Sequence, residues 1–131
     1  MKKPLRLGDL QVAILRVLWE ESEATVARVT EALSGRRRAP TTIATMLTKM
    51  ERRGLVEHRV EGRQFVYRPI LSESEVTRTM VADLTERLFE GDVSALVSHL
   101  IRSEEIDRDE LVRLRSMIVE REREETSDDQ E

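Results

Sequence analysis

The stretch from Ala39 to Gly62 reads A-P-T-T-I-A-T-M-L-T-K-M-E-R-R-G-L-V-E-H-R-V-E-G, and it decides the fold. Pro40 suits a helix start, because its ring pre-sets φ and the first turn needs no N–H. Ile43, Leu47 and Met50 recur at spacings of four and three, so they form one apolar stripe along a helix. The opposite side carries Thr41, Thr42, Thr45, Thr48, Lys49 and Arg52, with no carboxylate before Glu51. Gly54 ends the helix, and Arg52 and Arg53 sit where cations suit its C-terminal dipole. A helix buried on one side, with hydroxyls and cations on the other, is shaped for the major groove of duplex DNA.

Toward the N-terminus, Met1 to Arg6 is a short basic arm. A first helix is expected from Gly8-Asp9 to about Glu20, with Leu10, Ile14, Val17 and Leu18 inward and Leu7 packing back as a staple. Trp19, the single Trp, reads as a core anchor at that helix end. Thr25 is an N-cap candidate for a second helix carrying Val26, Val29, Ala32 and Leu33, which Gly35 stops. Arg36, Arg37 and Arg38 follow at once. A cationic loop leading into a groove-sized polar helix is expected to contact phosphates.

Beyond Gly54 the periodicity changes from helical to alternating. Val56 and Val60 share a face with His58 between them, Glu61-Gly62 is a turn signal, and Gln64 to Arg68 resumes a strand with Phe65 and Tyr67 on one face. Pro69 closes it. Arg59, Arg63 and Arg68 lie on or near this hairpin, and Arg63 at its tip is expected to reach the DNA backbone or minor groove. His58 has no motif partner and reads as structural.

From Ser72 the character changes again. Ser72-x-x-Glu75 is a capping box. Val76, Met80, Leu84 and Leu88 line one helix face, Leu96 and Leu100 a second helix begun at Asp92, and Leu111, Leu114 and Ile118 a third begun at Asp107. Three helices in some fifty residues cannot cover their own stripes. A second copy of the chain is expected to do so, which would also present the DNA-reading helix twice; folding back onto the first domain is the other arrangement. The chain is therefore expected to be mainly α. Residues 1–71 make an N-terminal winged helix-turn-helix of three helices plus a β-hairpin wing, residues 72–124 a C-terminal three-helix dimerisation domain, and residues 125–131 a disordered acidic tail.

Charge supports the division. Residues 1–71 hold 14 Lys and Arg against 8 Asp and Glu, and residues 72–131 hold 8 against 18, so the net −4 averages a basic half and an acidic half. The chain has no Cys, which excludes disulfides, thiolate metal sites and cysteine nucleophiles. There is no Gly-rich phosphate loop, and no carboxylates cluster on the basic half. No catalytic constellation, cofactor site or metal site is expected. Without a signal peptide or spanning segment, the expected location is the cytoplasm, away from any membrane. A winged-helix adaptor that binds protein instead of DNA would need an apolar outer face on the 40–53 helix, and this face is threonine and cation.

Four segments together carry a specific resemblance: L-G-D-L-Q-V-A-I-L-R-V-L-W from Leu7, P-T-T-I-A-T-M-L-T-K-M-E-R-R-G-L-V from Pro40, E-G-R-Q-F-V-Y-R-P from Glu61 and S-A-L-V-S-H-L-I from Ser94. They resemble the BlaI/MecI penicillinase-repressor family of bacterial winged-helix regulators, from Leu7 to about Val119. The resemblance implies a homodimer on a pseudo-palindromic operator, repressing antibiotic-resistance or stress genes. It implies base reading by Thr41, Thr42 and Thr45, with Lys49 and Arg63 on the DNA backbone. Two departures follow. Classical members carry an Asn-Phe bond cut by a sensor-linked protease, and this chain has His99-Leu100 there, which argues against induction by cleavage at that bond. A copper-responsive branch uses C-terminal cysteines, which this chain lacks. The operator, the regulated genes and any upstream sensor or protease are not encoded in a readable way.

Overall fold

Helix α1 (Asp9–Glu21) is the centre of the first unit. The structure is a computed structural model describing residues 5–36, 39–103 and 105–129. Ala13, Ile14, Leu15, Val17 and Leu18 of α1 are all buried. That arc is wider than the four-residue stripe expected, and it adds Leu15 while leaving Leu10 half-buried. The reason is placement: α1 touches both helix α2 (Val26–Ala32) and strand β3 (Gln64–Pro69), so two neighbours cover it instead of one. Thr25 caps α2 as its sequence suggested, its hydroxyl oxygen accepting from the Arg28 N–H at 3.1 Å. A single 3-10 turn, Ser34–Arg36, leaves α2.

Helix α3 (Pro40–Arg52) has Pro40 at its start and ends in a Schellman motif. The Gly54 N–H donates to the Glu51 carbonyl and the Leu55 N–H to the Met50 carbonyl, both at 3.0 Å. Gly54 sits at φ +77°, where a Cβ is disfavoured. Met50 and Leu55, the residues this motif brings together, are both in the core. Gly54→Ala should therefore lower stability by about 1–2 kcal/mol even though space for the methyl is free, read as an earlier urea midpoint at unchanged slope.

Strands β2 (Val56–Glu61) and β3 form the expected hairpin, in the register Val60 opposite Phe65 and His58 opposite Tyr67. Gly62 alone takes positive φ (+64°) in the two-residue turn, matching a II′ geometry with Gly first. A third strand, β1 (Ala24–Thr25), pairs antiparallel with β3 and makes the order β1-β3-β2. The core unites Ile14, Leu15, Leu18, Val29, Ile43, Leu47, Met50, Leu55, Val56 and Tyr67. Trp19 is half-buried against it and donates from Nε1 to the Leu71 carbonyl at 2.9 Å, pinning the chain as it leaves the hairpin.

Helix α4 (Glu73–Phe89) opens with the reciprocal Ser72–Glu75 cap. The chain divides into Met1–Asp83 and Leu84–Glu131, a division inside α4 and not at 71/72. Val76 is 3% exposed in the single chain, so this residue, expected on a dimer surface, is already covered. Asp92 caps α5 (Val93–Arg102) and Asp107 caps α6 (Arg108–Asp129), as the sequence indicated. The tail expected to be disordered from residue 125 is instead helical through Asp129. Glu and Arg are strong helix formers, Arg121 pairs with Glu125 at 2.7 Å one turn on, and the Thr126 hydroxyl donates to the Glu122 carbonyl at 3.0 Å. No helix among the described residues is long and apolar enough to cross a membrane.

Candidate nucleic-acid interface

One side of α3 is closed and the other open. Ile43, Leu47 and Met50 are 0% exposed, whereas Thr41, Thr42, Thr45, Thr48, Lys49 and Arg52 are all exposed. The Thr48 hydroxyl donates back to the Ala44 carbonyl at 3.0 Å. Among the described residues, the hydroxyls of Thr41, Thr42 and Thr45 have no protein partner, so their donors and acceptors are available to a ligand.

The cations near this face fall into two groups. Arg53 is internal in function: its guanidinium donates to Gln11 Oε1 at 3.2 Å and to the Arg6 carbonyl at 2.8 Å, tying the end of α3 to the start of α1. Arg59 is held by Glu23 and by Glu61, the latter at 2.9 Å, and Arg68 by Glu57. The hydrogen bond from Arg59 holds the Glu23 carboxyl below the usual carboxylate range, and Arg59 is raised in turn. Arg28 is held by Glu21 at 2.7 Å. By contrast, no carboxylate among the described residues pairs with Lys49, Arg52 or Arg63. Arg63, at the tip of the hairpin, is exposed and free of ion pairs while its two hairpin neighbours are neutralised. Arg36 ends the 3-10 turn just ahead of α3, and Arg37 and Arg38 lie outside the described residues.

Between α2, α3 and β3 lies a cleft of about 770 Å³, with Ala27, Pro40, Ala44, Thr48, Arg63 and Phe65 among its lining residues. Free hydroxyls, free cations and an adjoining concavity thus share one side of the first unit. Sequence reasoning missed how the hairpin is held. The Glu23–Arg59 and Glu51–His58 pairs join residues 36 and seven positions apart, linking β2 to the connection before β1 and to α3. Neither spacing is a motif. Tyr67 was placed on the right strand face, and its burial raises its hydroxyl pKa.

In the second unit, Leu84, Leu88, Leu100, Leu111 and Ile118 are exposed and Leu96 and Leu114 half-buried; α5 buries no residue at all. Met80, still in the first unit, is half-buried. These large apolar side chains therefore remain open to solvent in the single chain.

The profile of the penicillinase repressor family matches residues 7–120. A penicillinase repressor of Bacillus licheniformis is 27% identical over 121 residues, covering 92% of this chain and 94% of that protein. The transcriptional regulator BlaI of Mycobacterium tuberculosis (strain CDC 1551 / Oshkosh) is 34% identical over 123 residues, covering 92% and 88% respectively. The solved DNA-binding domain of the repressor BlaI superposes with a TM-score of 0.50 at 36% identity, over 57% of this chain and 93% of that domain. With its winged helix, its open threonine face and a family match along nearly its whole length, this chain belongs to the penicillinase repressor family of DNA-binding transcriptional repressors.

Proposed function

We propose that two copies of this chain bind a pseudo-palindromic operator, each laying α3 in a major groove, and so repress genes of antibiotic resistance or stress response. Thr41, Thr42 and Thr45 read base edges and thymine methyls, for which a hydroxyl beside a methyl is suited. Arg36, Arg37, Arg38, Lys49 and Arg63 neutralise phosphates and set the register. Residues 1–71 carry DNA binding, and helices from residue 72 onward carry dimerisation through Met80, Leu84, Leu88, Leu96, Leu100, Leu111, Leu114 and Ile118. The observation that carries the reading is the row of unpartnered threonine hydroxyls on α3 beside cations that no carboxylate holds.

Two substitutions separate reading from positioning. The operator itself comes from sequencing genome fragments retained by the protein. On that operator, Thr45→Ala should lose about 1–2 kcal/mol of discrimination at one base pair per half-site while binding of unrelated DNA stays level. Arg63→Ala should weaken operator and unrelated DNA alike and reduce the salt slope by about one per subunit. Identical behaviour of the two variants across a panel of mutated operators would remove the division of labour.

A further inference from the structure

The outer half of the wing has no core to rest on: every side chain from Arg59 to Phe65 is exposed. Yet its tip must stay at a fixed distance from α3 if both are to meet one duplex. Arg59 ties the hairpin to Glu23, ahead of β1, on the sheet edge away from β2's open side. On the α3 side, Thr48 and Tyr67 meet near the hairpin's buried half. At the same level, since His58 lies opposite Tyr67 across the strands, stands a second pair. His58 Nδ1 lies 2.5 Å from Glu51 Oε1, with the two side chains 26% and 36% exposed. The His58 ring stacks on Phe65 at 4.2 Å and 18°, and it tilts against Tyr67 at 5.4 Å.

Glu51 stands in the last turn of α3, where the helix dipole disfavours an anion. A carboxylate there weakens the helix by itself, so its contribution lies in what it holds. It holds His58, His58 carries Phe65 on its ring, and Phe65 is two residues from Arg63 at the turn. A hollow of about 340 Å³ lined by Thr48, Glu51, Arg52, His58, Phe65 and Tyr67 lies beside the pair, so His58 and Glu51 meet open space on that side, and Thr48–Tyr67 is the other contact between α3 and the hairpin here.

We infer that Glu51 and His58 form a latch between the reading helix and the wing, and that this latch aims Arg63 at its phosphate. Both are positioning residues: neither touches DNA, and each acts through Arg63. The inference rests on Arg63 meeting the DNA backbone, as proposed above.

The test is a double-mutant cycle on the full chain, reading operator affinity and melting temperature together. Arg63→Ala should cost about five- to ten-fold in the wild-type background and under about two-fold in Glu51→Ala, because an unaimed Arg63 has little left to lose. Glu51→Ala should keep its melting temperature, since alanine favours the helix and removes an anion from its C-terminal turn. His58→Leu, which retains bulk against Phe65 and removes the ring nitrogens, should reproduce the result. Should that variant melt early, Glu51→Ala decides alone. An undiminished cost of Arg63→Ala in the Glu51→Ala background overturns the latch and leaves DNA contact by Arg63 standing. An Arg63→Ala variant that binds like wild type overturns the hairpin-tip contact itself, and the latch with it.

Discussion

Raising the salt from 50 to 200 mM should weaken operator binding by about five orders of magnitude. The size follows from the cations on the proposed interface. Arg36, Arg37, Arg38, Lys49 and Arg63 give five phosphate-neutralising groups per subunit, hence about ten counterions released per dimer, and the logarithmic slope approaches the product of that number and about −0.9. Three other arginines of the basic half do not add to it. Arg28, Arg59 and Arg68 are each engaged by a carboxylate, so their counterions are already gone before DNA arrives. Arg59→Ala should accordingly leave the slope nearly unchanged, whereas Arg63→Ala should lower it. A slope shallower than about −3 for the wild-type protein would mean that most of the five never reach a phosphate, and the interface would need to be placed elsewhere.

The acidic C-terminal half sharpens this expectation. Its surplus of carboxylates repels DNA at long range, so binding depends on short-range contact by the basic half and not on overall attraction of a −4 chain. A net charge read alone would have pointed away from nucleic acid. The split between residues 1–71 and 72–131 is what made the interface legible.

Much of the first unit was readable because its signals are local. Pro40, the 43–47–50 stripe and Gly54 define α3 within fifteen residues of chain, and the caps at Thr25, Ser72, Asp92 and Asp107 are equally local. The open face of α3 was readable for the same reason: if Ile43, Leu47 and Met50 point inward, helical geometry leaves Thr41, Thr42 and Thr45 outward. What escaped depends on partners far away in sequence. Strand β1 is two residues long and exists only because β3, some forty residues later, pairs with it. The breadth of buried surface on α1 depends on a second neighbour that periodicity cannot reveal. The sorting of arginines into held and free was invisible too, since Arg59 and Arg63 look alike in sequence and differ in that Glu23 and Glu61 hold only the first. The helical end of α6 was misjudged by weighing its polarity over its propensity: a segment without apolar residues can still be helical when Glu and Arg fall at i, i+4.

Leu100→Glu should convert a dimer at micromolar concentration into monomers and weaken operator binding by about two to four orders of magnitude, with half-operator binding unchanged. The argument begins with surface. Leu88 is 70% exposed, Met117 64%, Ile118 53% and Leu100 49%, values suited to a face awaiting a partner and not to a finished core. At about 25 cal/mol per Å² of apolar area covered, a face of this kind supplies the driving force for association. A carboxylate on that face would have to be buried unpaired, at a cost of several kcal/mol. In the single chain the same side chain is half exposed, so the substitution should leave folding of the monomer largely intact. That asymmetry makes the experiment informative: sedimentation velocity should show half the mass while the far-ultraviolet circular dichroism spectrum stays the same. The operator loss follows from linkage, because a second half-site held at an effective concentration near ~1 mM is worth far more than a second subunit arriving from dilute solution. Val76→Ala is the counterpart. Val76 is buried in the single chain, so its truncation should lower stability by roughly 1–3 kcal/mol and leave the mass at that of a dimer. If Leu100→Glu sediments as a dimer, or the wild-type chain as a monomer at ten micromolar, the exposed helical face serves some other partner, and two-fold operator recognition must be built another way.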